Sequence, residues 1–148
     1  MLHLLFRAGD INMKRIIFCL FALNILCGCS APLGAKFEPI TTLSDETLIY
    51  YYRPSRFLGS GVHYTVEENG KPVTKLYNGG YYPALTTPGQ KTIKAGSSTV
   101  SFFAERGRTY FIRGKEHMGL FIYHPSIKLV PNSKAWREIQ NCRIIEEK

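Results

Sequence analysis

Val62-His63-Tyr64-Thr65-Val66-Glu67-Glu68-Asn69-Gly70-Lys71 is the stretch that decides the fold. Val62, Tyr64 and Val66 alternate with His63, Thr65 and Glu67, the period of a half-buried strand. Asn69-Gly70 then supplies two residues that tolerate positive φ, which a type I′ hairpin turn requires at both central positions. Working outward, residues 47–52 are rich in β-formers and end at Arg53-Pro54. Residues 73–77 follow the hairpin turn and stop at Asn78-Gly79-Gly80. Residues 81–85 lead to Pro88-Gly89, which suits a type II turn. Residues 91–95 and 99–104 flank Gly96-Ser97-Ser98, Arg106-Gly107 opens residues 109–113, and a last strand covers residues 127–130. The expected fold is mainly β: an antiparallel β-sandwich or small barrel of 7–8 short strands with one C-terminal helix.

Pro131 ends the sheet, and Asn132 or Ser133 can cap a helix reaching about Cys142. Ala135, Ile139 and Cys142 fall on one apolar face, with Trp136 beside it. Such a helix is expected to pack on the sheet and close one edge. Composition agrees with a packed domain. The 148 residues are 45% hydrophobic and 13% aromatic, too apolar for a disordered chain. Eight Pro and 13 Gly exclude a coiled coil, and 4 Cys, three of them near the N-terminus, do not make a disulfide scaffold. Lys+Arg outnumber Asp+Glu by 19 to 11, so the chain carries +8.

The N-terminus sets the expected compartment. Met13-Lys14-Arg15 is a short positive start, and residues 16–26 form an apolar run broken only by Asn24. This is the pattern of a secretory signal. Spanning a bilayer takes ~20 apolar residues, so the run is too short for a stable transmembrane helix. The closing Leu26-Cys27-Gly28-Cys29 resembles the lipobox of bacterial lipoproteins, with Leu26 and Gly28 at the two defining positions. Cys27 departs from it, because that slot usually holds Ala, Ser, Thr or Val. The resemblance implies that Cys29 is the lipid attachment residue, carrying a diacylglyceryl group on sulfur and an acylated amine after cleavage. Ser30 next to it implies export to the outer membrane. Residues 1–12 disturb the usual order of such signals, so translation is expected to begin at Met13.

The organisation that follows is an upstream extension at 1–12 and a lipoprotein signal peptide at 13–28. A lipidated tether covers 29–46, a β domain 47–131, and a packed helix and tail 132–148. The mature chain of 120 residues would hold 16 basic and 10 acidic side chains, a net +6. Cys142 would be its one thiol, which leaves no partner for an intramolecular disulfide. The natural alternatives for Cys142 are a small buried hydrophobe under the helix, which we favour, and a reactive or intermolecularly paired thiol.

Tyr52-Arg53-Pro54-Ser55-Arg56, Asn69-Gly70-Lys71, Asn78-Gly79-Gly80-Tyr81 and Pro88-Gly89-Gln90-Lys91-Thr92 occur together in this order. In combination they resemble a family of small bacterial lipoproteins built on an all-β domain of unknown function. The likeness covers roughly residues 48–130. The hairpin region is also similar to short β-sandwich repeats of bacterial surface proteins, marked by a Pro-Gly before a strand. Both likenesses imply an envelope-facing β domain, and neither supplies a catalytic residue.

Chemistry-bearing residues are sparse. His63, His117 and His124 lack the close spacing of a zinc site. Asp45 is the one Asp after the signal and lies in the tether, so a Ser-His-Asp site has no orienting acid. Glu67 and Glu68 are adjacent and would face opposite sides of a strand. We therefore expect no enzyme activity, no metal and no cofactor. The alternative is an envelope hydrolase or enzyme inhibitor using a His117/His124/Glu116 pocket. Arg53 and Arg56 flank Pro54, while Arg106, Arg108, Arg113 and Lys115 bracket another turn and strand. Arg53, Arg56, Arg106 and Arg108 are the candidate residues for an anion or partner site, since guanidinium forks match phosphate and carboxylate. Arg53 has a second option, bonding the carbonyls of the Gly59-Ser60 turn. Export argues against nucleic acid as the partner. An anionic envelope polymer, an acidic protein and the membrane reached through the lipid fit the compartment better.

Overall fold

The computed structural model describes residues 31–41, 45–119 and 123–146. The signal segment and Cys29 lie outside the described residues. Among the described residues, ten strands and one helix follow in chain order. These are β1 (Leu33–Lys36), β2 (Thr47–Tyr52), β3 (Tyr64–Glu68), β4 (Lys71–Leu76), β5 (Gly80–Thr86), β6 (Gly89–Ala95), β7 (Ser98–Ala104), β8 (Thr109–Met118) and β9 (Tyr123–Leu129). The helix α1 (Asn132–Ile139) and β10 (Arg143–Ile145) complete the chain. They form a six-stranded sheet, β1-β10-β5-β2-β8-β9, and a four-stranded sheet, β4-β3-β6-β7. The architecture is a sandwich of these two sheets rather than a closed barrel.

β2 sits in the middle of the larger sheet, antiparallel to β5 and parallel to β8. Its sequence, Thr-Leu-Ile-Tyr-Tyr-Tyr, is a continuous run without polar alternation, and all six residues are buried. A strand covered on both faces needs such a run. Ile49 and Tyr51 join Val66, Leu76, Ile93, Ala95 and Ile112 between the two sheets. Leu48, Tyr50 and Tyr52 face the other way, onto Phe111, Ala135, Ile139 and Cys142. Two cores thus share one strand.

The second core is built by α1. Eight residues are too few for an isolated helix to persist in water, so burial of Ala135 and Ile139 sustains it. Trp136 contacts Phe37, Tyr50 and Phe111 with ring centroids 5.6, 6.2 and 5.2 Å apart. Within the same cluster Tyr50 and Phe111 stack at 5.3 Å. The Tyr50 hydroxyl accepts the Ile40 N–H at 2.9 Å, which holds the segment after β1 against this core.

Several expectations change here. The segment read as a tether, 29–46, carries β1, and Phe37 packs against α1. The sheet therefore reaches beyond 47–131: β1 and β10 pair with each other, and β10 also pairs with β5. The helix covers an open face of the larger sheet, whose edges are β1 and β9, instead of closing an edge. It ends at Ile139, so Cys142 lies past it, buried in the turn before β10. Pro131 occupies the N-cap position, with no side-chain cap hydrogen bond, and Asn132 and Ser133 are already helical. The predicted hairpin turn is present, with Asn69 at φ 51° and Gly70 at φ 79°.

Candidate functional site

Strand alternation places the side chains of β8. Phe111 faces α1 and Ile112 faces the other sheet. Arg113, Lys115 and His117 therefore continue the α1 face, while Gly114 and Glu116 continue the inter-sheet face. The register of β8 with β9 pairs Arg113 with Lys128, Lys115 with Ser126, and His117 with His124. Those partners share the α1 face. The result is a basic surface on the outer two strands, beyond the residues that α1 covers.

Two shallow depressions occupy it. One, of about 240 Å³, is lined by Arg113, Lys115, Lys128 and Lys134 around a floor of Leu129, Val130 and Pro131. The other, of about 270 Å³, runs from Arg113 and Lys115 to Pro54, Ser55 and Arg56, with Glu138 on its wall. Glu138 is already committed. One carboxylate oxygen accepts Arg113 Nη1 at 2.7 Å and the other accepts the Tyr52 hydroxyl at 2.7 Å. Burial, reinforced by that bond to Glu138, pushes the Tyr52 hydroxyl pKa up and keeps it a donor. Arg113 is thereby fixed in place. Lys115, Lys128 and Lys134 have no acidic partner among the described residues. Like charges directly opposite on paired strands are destabilising, and Glu138 offsets part of that repulsion between Arg113 and Lys128. An anion seated beside Lys128 would offset the rest.

The four sequence candidates do not form one site. Arg53 is 1% exposed. Its Nη2 donates to Gly59 O at 2.7 Å, its Nη1 to Val62 O, and its Nε faces Glu116 in an ion pair. The guanidinium also lies over the Tyr64 ring at 5.8 Å. Arg53 therefore anchors the 54–63 loop and is not available to a ligand, a correction to its place among anion-binding candidates. The alternative reading, a bond to the Gly59-Ser60 turn, describes its contact with Gly59. Arg56 is exposed beside the basic surface. Its backbone N–H donates to Asn78 Oδ1 and its carbonyl accepts Asn78 Nδ2, both at 2.9 Å, which fixes this loop from a second side.

Arg106 and Arg108 lie before β8, at its opposite end. Five residues separate Arg108 from Arg113, or ~17 Å along a strand. Arg106 bonds Asp45 at 2.8 Å and Arg108 meets Glu105 at 3.2 Å, with both arginines at least 68% exposed. They are removed from the basic surface.

The His117/His124/Glu116 set is divided by the strand register. The register does set His117 opposite His124, both exposed. Glu116 points to the inter-sheet face, where Arg53 holds it, so the triad is not assembled. His63 stacks on Tyr77 at 5.2 Å, far along the chain from both. Among the described residues no three His, Cys, Asp or Glu side chains converge as metal ligands. Cys142 is buried, and that burial, together with the charge of Glu138, pushes its thiol pKa up to about 12.

A second buried charge pair lies between the sheets. Glu68 accepts Lys91 Nζ at 2.7 Å, the Thr86 hydroxyl at 2.7 Å and the Tyr51 hydroxyl at 2.8 Å. Burial alone would raise the Glu68 pKa, but these hydrogen bonds outweigh it and hold the carboxyl below its usual range.

Lys128 and Lys134 were not singled out by the sequence. Their relevance depends on which β8 residue faces Lys128, and the β9 pattern does not fix that register. No protein family, curated protein or solved structure matches this chain.

Proposed function

We propose that this chain is a lipid-anchored cell-envelope protein, held at the outer membrane through Cys29, whose β-sandwich binds an anionic partner without catalysing a reaction. The lipobox-like Leu26-Cys27-Gly28-Cys29 supports the anchor. The observation that carries the binding role is the β8–β9 surface, where Lys115, Lys128 and Lys134 converge with Arg113 and have no acidic partner among the described residues. Phosphate or carboxylate groups are the ligand chemistry that such a surface recognises. The side chains sit on strands and on a helix, so the cationic geometry is preorganised.

Inositol hexakisphosphate is a suitable soluble polyanion probe. It is expected to bind the full chain and to weaken as salt rises, because exposed charges are screened. Lys115→Glu combined with Lys128→Glu should abolish that binding while leaving the fold intact, since both side chains lie outside the two cores. Unchanged affinity in the double variant removes the β8–β9 surface as the site. For the anchor, Cys29→Ser should abolish lipid labelling in cells, and persistence of labelling removes Cys29 as the attachment residue.

A further inference from the structure

The loop 54–63 holds the largest apolar exposure among the described residues. Phe57 is 93% exposed and Leu58 71%. Nothing in the described chain covers them, yet the loop is built to hold its shape. Arg53 binds the carbonyls of Gly59 and Val62 from below, and Asn78 bonds both backbone groups of Arg56. Gly59 adopts φ 78°, a left-handed turn placed just after the exposed pair. A loop fixed in this way has little ordering entropy left to lose on docking.

Its position supplies the identity of what it meets. Arg56 precedes Phe57 and shares a depression with Arg113 and Lys115, so the apolar tip adjoins the cationic surface. A sugar ring can stack on Phe57, but a polysaccharide offers no apolar interior to bury Leu58 beside it. A bilayer with anionic headgroups offers both: acyl chains for the tip, and phosphates for the cations around it. α1 adds the exposed cations Lys134 and Arg137 to the same side of the larger sheet as Arg113 and Lys115. The described chain enters through β1, on the opposite edge of that sheet. That edge is five strand spacings from β9, or ~24 Å, a span that a single membrane surface covers.

We propose that Phe57 and Leu58 insert into the interface of an anionic membrane, with Arg56, Lys115 and Lys128 on its headgroup phosphates. This rests on the anion-binding reading of the β8–β9 surface and names the ligand there. The test is hydroxyl-radical footprinting of the full chain reconstituted in vesicles, one set of phosphatidylcholine alone and one with added phosphatidylglycerol. N-terminal anchoring is then common to both sets, and only lipid charge differs. Oxidation of Phe57 and Leu58 is expected to fall about fivefold in the anionic vesicles, since the tip leaves water. Lys115→Glu with Lys128→Glu should restore full oxidation. Phe57→Ser should unprotect Leu58 while leaving inositol hexakisphosphate binding unchanged. Equal oxidation in both vesicle types, with polyanion binding retained, overturns the membrane assignment and leaves the anion site standing. Loss of both overturns the two together. Protection in intact envelopes but on neither vesicle overturns it as well, and assigns the loop to an acidic protein.

Discussion

The two ends of β2 carry turns of similar composition and opposite fate. Residues 53–60 and residues 105–108 are both arginine-bearing, glycine-containing and adjacent to the central strands. At the first end the turn's own arginine has been drawn between the sheets, where Arg53 meets Glu116. Towards the second end a buried ion pair also exists, but Lys91 of β6 supplies its cation to Glu68. Arg106 and Arg108 are left in solvent with exposed partners. An arginine's role here is set by the acid it meets: Arg53 finds the buried Glu116, whereas Arg106 and Arg108 find only the exposed Asp45 and Glu105. A turn whose arginine becomes a core residue is rigid and can present its tip. A turn whose arginines stay outside is held by its backbone alone, as residues 105–107 are by Thr47, Glu46 and Tyr110.

Removing the core arginine is the strongest way to break this comparison. Arg53→Ala leaves the Glu116 carboxylate buried without its cation and frees the Gly59 and Val62 carbonyls. Breaking one side of a buried pair costs about 3–5 kcal/mol, so denaturant unfolding should show a loss of that order. Protease cleavage between Ser55 and Gly61 should appear alongside it. A loss below 1 kcal/mol would mean that Arg53 is as solvated as Arg106.

The buried pair towards the other end should respond to acid. The Glu68 pKa is lowered in the fold, so its ionised form favours folding. That contribution is fully present above the unfolded carboxylate value and is lost as pH falls through the lower folded value. Stability should therefore decline on acidification below the usual carboxylate range. Glu68→Gln keeps the shape but leaves Lys91 without a counter-charge. It should cost roughly 2–3 kcal/mol at neutral pH and flatten the acid limb of a stability-against-pH curve. An unchanged acid limb would assign the acid sensitivity to other carboxylates.

Gly114 sharpens the comparison at the Arg53 end. It lies on the inter-sheet face of β8, and a methyl there would overlap the Tyr64 hydroxyl and a Leu76 methyl. Gly114→Ala should cost roughly 1–3 kcal/mol by overpacking. The Tyr64 hydroxyl is buried without a hydrogen-bond partner among the described residues, so Tyr64→Phe should be neutral or slightly stabilising. In the Tyr64→Phe background the Gly114→Ala cost should shrink, because one of the two overlapping atoms has gone. Full additivity in the thermodynamic cycle would mean that Leu76 alone sets the limit.

What the sequence disclosed tracks how local each interaction is. The hairpin at Asn69-Gly70 needs only its own two residues, and it was legible. The strand at 47–52 was legible as β, and its all-apolar run is what a strand buried on both faces requires. The pairing of β1 with β10 was not, because four- and three-residue strands carry no period and their partners stand at Leu33 and Ile145. The candidate site suffered the same way. Arg53 could be seen to reach Gly59, six residues on, but not Glu116. The basic surface exists only once β9 is set in register against β8, and a single-residue slip would send Lys128 to the other face.

The smallest effect completes the comparison. Arg106→Ala with Arg108→Ala removes two cations of the same type as Arg53 from the opposite turn. Each is more than two-thirds exposed, and its carboxylate partner is also solvated. Exposed ion pairs gain little over hydration and are screened by salt, so stability should change by less than about 1 kcal/mol. Polyanion affinity should also hold. These positions lie ~17 Å or more from Arg113 along β8, beyond the Debye length of ~8 Å at physiological salt. Measured together, the two quantities separate net charge from placement. If inositol hexakisphosphate binding fell as far as in Lys115→Ala with Lys128→Ala, which removes the same two charges, overall positive charge would account for affinity. If it holds, the position of the cations on the β8–β9 face is what matters.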